Sequence, residues 1–228
     1  LFRSKKVDGM IIAPTKISKR EISRLVESRY PVLLFDRYFP EMRVNYVIIN
    51  NEESSYKLVR HLIDKGFRKI AIITTNPHLL TMDMRREGYA NALSDAHIRI
   101  NPDLYGEVTY VNYQENIYST MDRSFSAVPD VDAFFFTTHI LAIEALRYFY
   151  DRGIDINDGN WGLACMHEDS LFRVLAPKMN IAHFPIEEIG SNAVRILLNQ
   201  IRQSNDPEAG EYVPESKVLP CRMEFRDQ

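Results

Sequence analysis

Six residues stand where chemistry could be done. Asp36, Asn50, Thr138, His167 and Glu168 each fall at or just past the end of an apolar run, and Arg85 lies early in a helical stretch. Carboxylate, amide, hydroxyl and guanidinium groups are the donors and acceptors that recognise hydroxyl-rich molecules or small acids, and Phe184 with Trp161 could line an apolar wall. Plainer readings stand beside these. Asn50 and Thr138 are also good helix caps, and Trp161 and Phe184 are also ordinary core residues.

His167-Glu168-Asp169 sets an imidazole beside two carboxylates, a combination that binds metals or moves protons. Three consecutive loop residues rarely converge on one centre, and no HExxH or paired-cysteine spacing accompanies them, so neither a metal nor a catalytic residue is assigned. His61, His78, His97 and His183 show no spacing signal and read as solvated or locally bonded. There is no GxSxG, GxGxxG or GxxxxGK[ST] pattern, and no cofactor is expected. Cys165 and Cys221 lack a pairing pattern and an evident base, and read as reduced thiols.

The elements that must position these residues are legible in the hydrophobic pattern. Tyr46 to Thr75 holds a strand, a helix whose apolar face is Leu58, Val59, Leu62 and Ile63, a stop at Gly66, and a second apolar strand. Before it come strands at 7–14 and 31–36 with a helix between them carrying Ile22, Leu25 and Val26. After it a helix is expected from about Leu80 to Ala96, a strand at Glu107–Val111, a helix at Tyr113–Phe125 and a strand at 133–137. A helix opening at Thr138-His139, a strand at 161–166 and a short strand at 180–184 follow. The last long helix uses Ile186, Ile189, Ala193, Leu197 and Ile201, and terminal strands end the chain. Alternation of this kind implies parallel sheets covered on both faces, with ligands met at the carboxyl ends of the strands.

Composition narrows the classes. The 228 residues are 45% hydrophobic and 26% charged, with a formal net charge of -3. That balance speaks against this segment gripping a phosphate backbone. No apolar run approaches the ~18 residues a membrane helix needs, and the start LFRSKKVDG lacks the apolar core of a signal peptide.

The segments VDGMIIAP, PVLLFDR, NNEESSYKLVRHLIDKGFRKIAII, RREGYANAL, DAFFFTTHILAIEAL and LAPKMNIAHFPIEEIGSNAVRILLNQI, in this order, resemble the effector domain of LacI/GalR-type bacterial transcription regulators. The resemblance implies a two-lobed α/β fold of the periplasmic-binding-protein type I kind. The N-terminal lobe would comprise 1–49 with 184–217, and the C-terminal lobe 50–183 with 218–228. It also implies a homodimer in the cytoplasm, a sugar or sugar-acid effector, and operator DNA read by a helix-turn-helix domain outside this chain. On the order of 50 residues of the first lobe would precede the segment seen here, at the usual length of βαβ units. Asp36, Asn50, Arg85, Thr138, His167 and Phe184 become the implied ligand contacts. Two departures stand out: Thr138-His139 replaces the family's Asn-Asp, and Cys165-Met166-His167-Glu168 replaces its Gly-Phe-Asp-Asp. With imidazole in place of a carboxylate, an anionic effector is expected, bound more tightly as falling pH charges His167. The rivals are a periplasmic sugar-binding protein of a transporter and, more distantly, an enzyme acting on a sugar or nucleotide.

Overall fold

A computed structural model describes residues 7–76, 79–109, 111–206, 208, 210 and 212–226. The chain forms two compact units, Leu1–Asn50 with Pro185–Pro220 and Asn51–Phe184 with Cys221–Gln228, so it passes from one to the other after Asn50, Phe184 and Pro220.

The first unit is built on β1 (Met10–Ile12), β2 (Val32–Phe35), β3 (Asn45–Ile49) and β9 (Ser216–Leu219), which pair in that order and all in parallel. Alternating side chains on β2 explain why it is apolar throughout. Val32 and Leu34 pack with Ile22 of α1 (Lys19–Glu27), while Leu33 faces the opposite way, toward Ala193, Ile196 and Leu197 of α7 (Ile186–Ser204). Buried Asn45 ties the layers together. Its amide donates to Gln200 Oε1 at 2.7 Å and to the Val32 carbonyl, and its oxygen accepts from the Tyr212 hydroxyl and the Glu215 N–H. Ile186, expected on the apolar face of α7, is 65% exposed, and Ile196 takes the core position instead. Ile186 begins the helix, before its inner face meets the sheet.

The second unit carries a six-stranded sheet in the order β10-β8-β7-β6-β4-β5. These are β4 (Ile70–Asn76), β5 (Tyr105–Thr109), β6 (Ala133–Phe136), β7 (Gly162–Met166), β8 (Asn180–His183) and β10 (Arg222–Glu224). Only β10 runs antiparallel, against β8. The Phe134-Phe135-Phe136 run is fully buried because it has helices on both sides. Phe134 and Phe136 join the cluster containing Ile117 of α4 (Tyr113–Ala127) and Phe149 of α5 (His139–Asp151). Phe135 lies parallel to Tyr89 of α3 (Leu80–Asp95), whose hydroxyl donates to the Ile70 carbonyl at 2.9 Å. Burying each such ring contributes about 2 kcal/mol.

The weakly patterned strand lies two residues earlier than its apolar residues indicate. Pairing with β4 sets its register, Tyr105 against Ile72 and Val108 against Thr75. Gly106 sits where a Cβ would lie 2.4 Å from Thr120 Cγ2, so the close approach of α4 requires a bare backbone there. Among the described residues no helix is long and apolar enough to cross a membrane.

Candidate functional site

The second unit gathers its chemistry at the carboxyl ends of β4, β6, β7 and β8. Arg85, on α3, is only 4% exposed. Its Nε donates to Asn51 Oδ1 at 2.7 Å and its Nη1 to the Thr137 carbonyl at 2.6 Å. Asn51 begins α2 (Asn51–Asp64), and Thr137 follows β6, so one guanidinium joins three elements. Such charge-assisted bonds are about twice as strong as neutral ones. Helices α2 and α3 meet closely enough for this because Gly88 lies one turn beyond Arg85. A Cβ there would be 2.2 Å from the Glu52 carbonyl oxygen.

Phe184 and His167 complete the cluster. The Arg85 guanidinium lies 5.5 Å from the centre of the Phe184 ring, within reach of the negative ring face. His167 packs on Phe184 with ring centres 4.5 Å apart and meets His139 edge-on at 5.0 Å. Its backbone is left-handed, φ 80, while its N–H donates to the Ala182 carbonyl. A left-handed histidine costs on the order of 1 kcal/mol or more and persists where the surroundings hold it. Burial, then the positive neighbours His139 and Arg85, push the His167 imidazole below its ordinary range, with Glu168 opposing. Its Nδ1 is shielded from solvent and has no hydrogen-bond partner among the described residues, as do the Thr75 and Thr81 hydroxyls.

This moves the pH expectation to lower pH. At neutral pH the fixed positive charge here is Arg85, and His167 enters as a neutral ring that charges only at lower pH than an ordinary histidine. Glu168 turns from the cluster, with Oε1 at 3.2 Å from Arg173 and Oε2 at 2.9 Å from His183.

The structure therefore brings together Arg85, His167 and Phe184. Thr138 is the N-cap of α5, its hydroxyl accepting from the Leu141 N–H at 3.5 Å, and it carries His139 into the cluster. Asp36 and Asn50 belong to the first unit. Asp36 follows β2 with φ 64 and pairs with Arg37 Nε at 3.1 Å; the Asn50 N–H donates to the Leu219 carbonyl. Trp161 is no part of a wall with Phe184. It precedes β7, opposite the end that leads to His167, and packs against Phe125, Phe134 and Phe149. Asn51 was overlooked because Asn50-Asn51 reads as a pair of caps. Cys165 is fully buried, which pushes its thiol far up and removes it as a nucleophile. His78 lies outside the described residues. Among those described, no three His, Cys, Asp or Glu side chains are grouped as metal ligands.

Comparison with known proteins places this geometry. The family described as periplasmic binding protein-like domain matches residues 59–226. The probable HTH-type transcriptional regulator EndR of Paenibacillus polymyxa is 28% identical over 95% of this chain and 64% of its own length. The ribose operon repressor of Haemophilus influenzae is 28% identical over 89% of this chain and 60% of its own. The chain thus spans about three-fifths of the length of the curated relatives it matches. Among solved structures, the regulator CelR in complex with cellobiose superposes with TM-score 0.84 at 22% identity, over 99% of this chain and 67% of that one. The chain belongs to the periplasmic binding protein-like domain family, and its relatives are LacI-type transcription regulators.

Proposed function

We propose that this chain is the effector-binding and dimerising domain of a LacI-type bacterial transcription regulator. The observation that carries the reading is the buried Arg85, held by Asn51 and the Thr137 carbonyl beneath the Phe184 and His167 rings at the strand ends. A planar donor set beside apolar rings is what a sugar ring presents itself to, with hydroxyls at its rim and C–H faces above and below. The cellobiose held by CelR supports a sugar or sugar derivative as effector. Asp36 and Asn50 enter the site on the family resemblance, as the first unit's contribution.

In this reading the first unit is the N-terminal lobe and the second the C-terminal lobe. The protein is a cytoplasmic homodimer, and operator DNA is bound through a domain outside this chain. Effector occupancy biases one conformation over another and so the affinity for operator. The site binds and does not turn over its ligand. Relatives that are regulators favour this over a transporter's binding protein.

The test is a thermal-shift screen of sugars, sugar acids and sugar phosphates, since a ligand of the native state raises its apparent stability. One sugar class should raise the melting temperature, and calorimetry with the same compound should show binding without heat from turnover. No shift across the panel overturns the reading.

A further inference from the structure

His183, the last residue of β8, is 8% exposed and lies between two carboxylates from different elements. Its Nδ1 is 2.9 Å from Glu168 Oε2, in the loop after β7, and its Nε2 is 2.7 Å from Glu224 Oε2, at the end of β10. A neutral imidazole has one N–H and one lone pair, so only the cation donates at both nitrogens. Loss of the proton leaves a lone pair facing a carboxylate oxygen.

Arginines flank both carboxylates. Glu168 Oε1 is 3.2 Å from Arg173 Nη2, and Glu224 Oε1 is 2.8 Å from Arg226 Nε, with Arg222 Nη2 at 3.7 Å from Glu224 Oε2. Arg173 and Arg226 hold the far carboxylate oxygens, while Arg222 shares the near oxygen of Glu224 with the imidazole. His167 is the remaining titratable neighbour.

The place of this bridge in the chain gives it a consequence. Glu168 directly follows His167, and His183 directly precedes Phe184, so the His183–Glu168 contact joins the two segments whose rings stack 4.5 Å apart. We propose that His183 is a positioning residue whose imidazole, met by a carboxylate at each nitrogen, latches the His167 loop to the Phe184 strand and so holds these two rings together. That the rings face a ligand rests on the proposed function; the latch itself does not.

The experiment uses the ligand-free chain with labelled histidine and phenylalanine. The cross-relaxation between the His167 and Phe184 rings reports their distance. The unaltered chain should give a strong ring–ring signal. His183→Gln, which cannot meet both carboxylates in the same geometry, should weaken that signal several-fold. Glu168→Gln, in a half-buried loop position that tolerates an isosteric change, should do the same should His183→Gln fail to fold. A ring–ring signal unchanged in His183→Gln or in Glu168→Gln overturns the proposal. If the latch behaves as described and no sugar binds, the functional reading fails and the latch stands.

Discussion

The chain leaves β2 at Asp36 and β7 at His167 through the same left-handed backbone turn, φ 64 in the first unit and φ 80 in the second, yet the two side chains meet opposite environments. Aspartate is among the residues that tolerate this region, and its carboxylate stays partly solvated beside Arg37. Histidine tolerates it less well than glycine, and its ring is fixed between Phe184 and His139, with its protonation suppressed by burial and by Arg85. One backbone device thus presents a solvated anion in one unit and a packed neutral ring in the other. Packing around the turn, rather than the turn itself, decides what the strand end can bind.

The strongest way to break this contrast is to remove what organises the second unit's strand ends. Arg85→Ala takes the Arg85 donor from the buried Asn51 amide oxygen and Thr137 carbonyl, and two such losses at about 1–3 kcal/mol each predict a loss of about 2–6 kcal/mol in urea denaturation. It should also abolish any sugar-induced rise in melting temperature. A stable, ligand-responsive Arg85→Ala protein would remove Arg85 from its central place.

Gly88→Ala attacks the same arrangement from behind. Its Cβ would sit 2.2 Å from Glu52 O and 2.8 Å from Ser55 Cβ, forcing α2 from α3, at an expected cost of about 1–3 kcal/mol by the same denaturation measurement. Weakened sugar binding should accompany it, because the Asn51–Arg85 bond depends on that approach.

The His167 ring makes a pH prediction. Its folded-state value lies below the unfolded one of about 6.5, so between the two the unfolded chain binds more protons and stability rises with pH. The contribution is fully present above about pH 6.5 and falls as pH drops toward the folded value. His167→Gln should therefore flatten the decline of melting temperature below about pH 6.5; an unaltered slope would show that the ring is not held neutral. The smallest effect belongs to Asp36→Asn. Asparagine accepts the same backbone, and a partly solvated pair with Arg37 stabilises little, so the change should stay within about 0.5 kcal/mol.

Local pattern carried much of the fold. The Leu58, Val59, Leu62 and Ile63 face, the Phe134–Phe136 run and the helix opening after Thr138 each follow from periodicity or capping within a few neighbours. What was not legible depends on distant partners. Nothing near His183 marks it as the bridge between Glu168 and Glu224, because Glu224 arrives through the antiparallel pairing of β10 with β8. Asn50 and Asn51 look alike in sequence, yet it is the Asn51 side chain that receives Arg85 Nε, a choice set by where Gly88 lets α3 lie. Trp161 fell on the wrong side because strand direction had to be combined with which end holds the polar residues.

The three crossings of the chain also order its birth on the ribosome. The second unit is almost one continuous stretch and lacks only β10, so its core can assemble while the chain is still emerging. The first unit cannot, because Leu33 and Val47 find their covering layer only when α7 and β9 appear, Tyr46 pairing with Ser216 and Ile49 with Leu219. Throughout synthesis of the intervening second unit, β2 and β3 carry an uncovered apolar face and an open β3 edge, the form in which a nascent chain is most prone to aggregate and most dependent on chaperones.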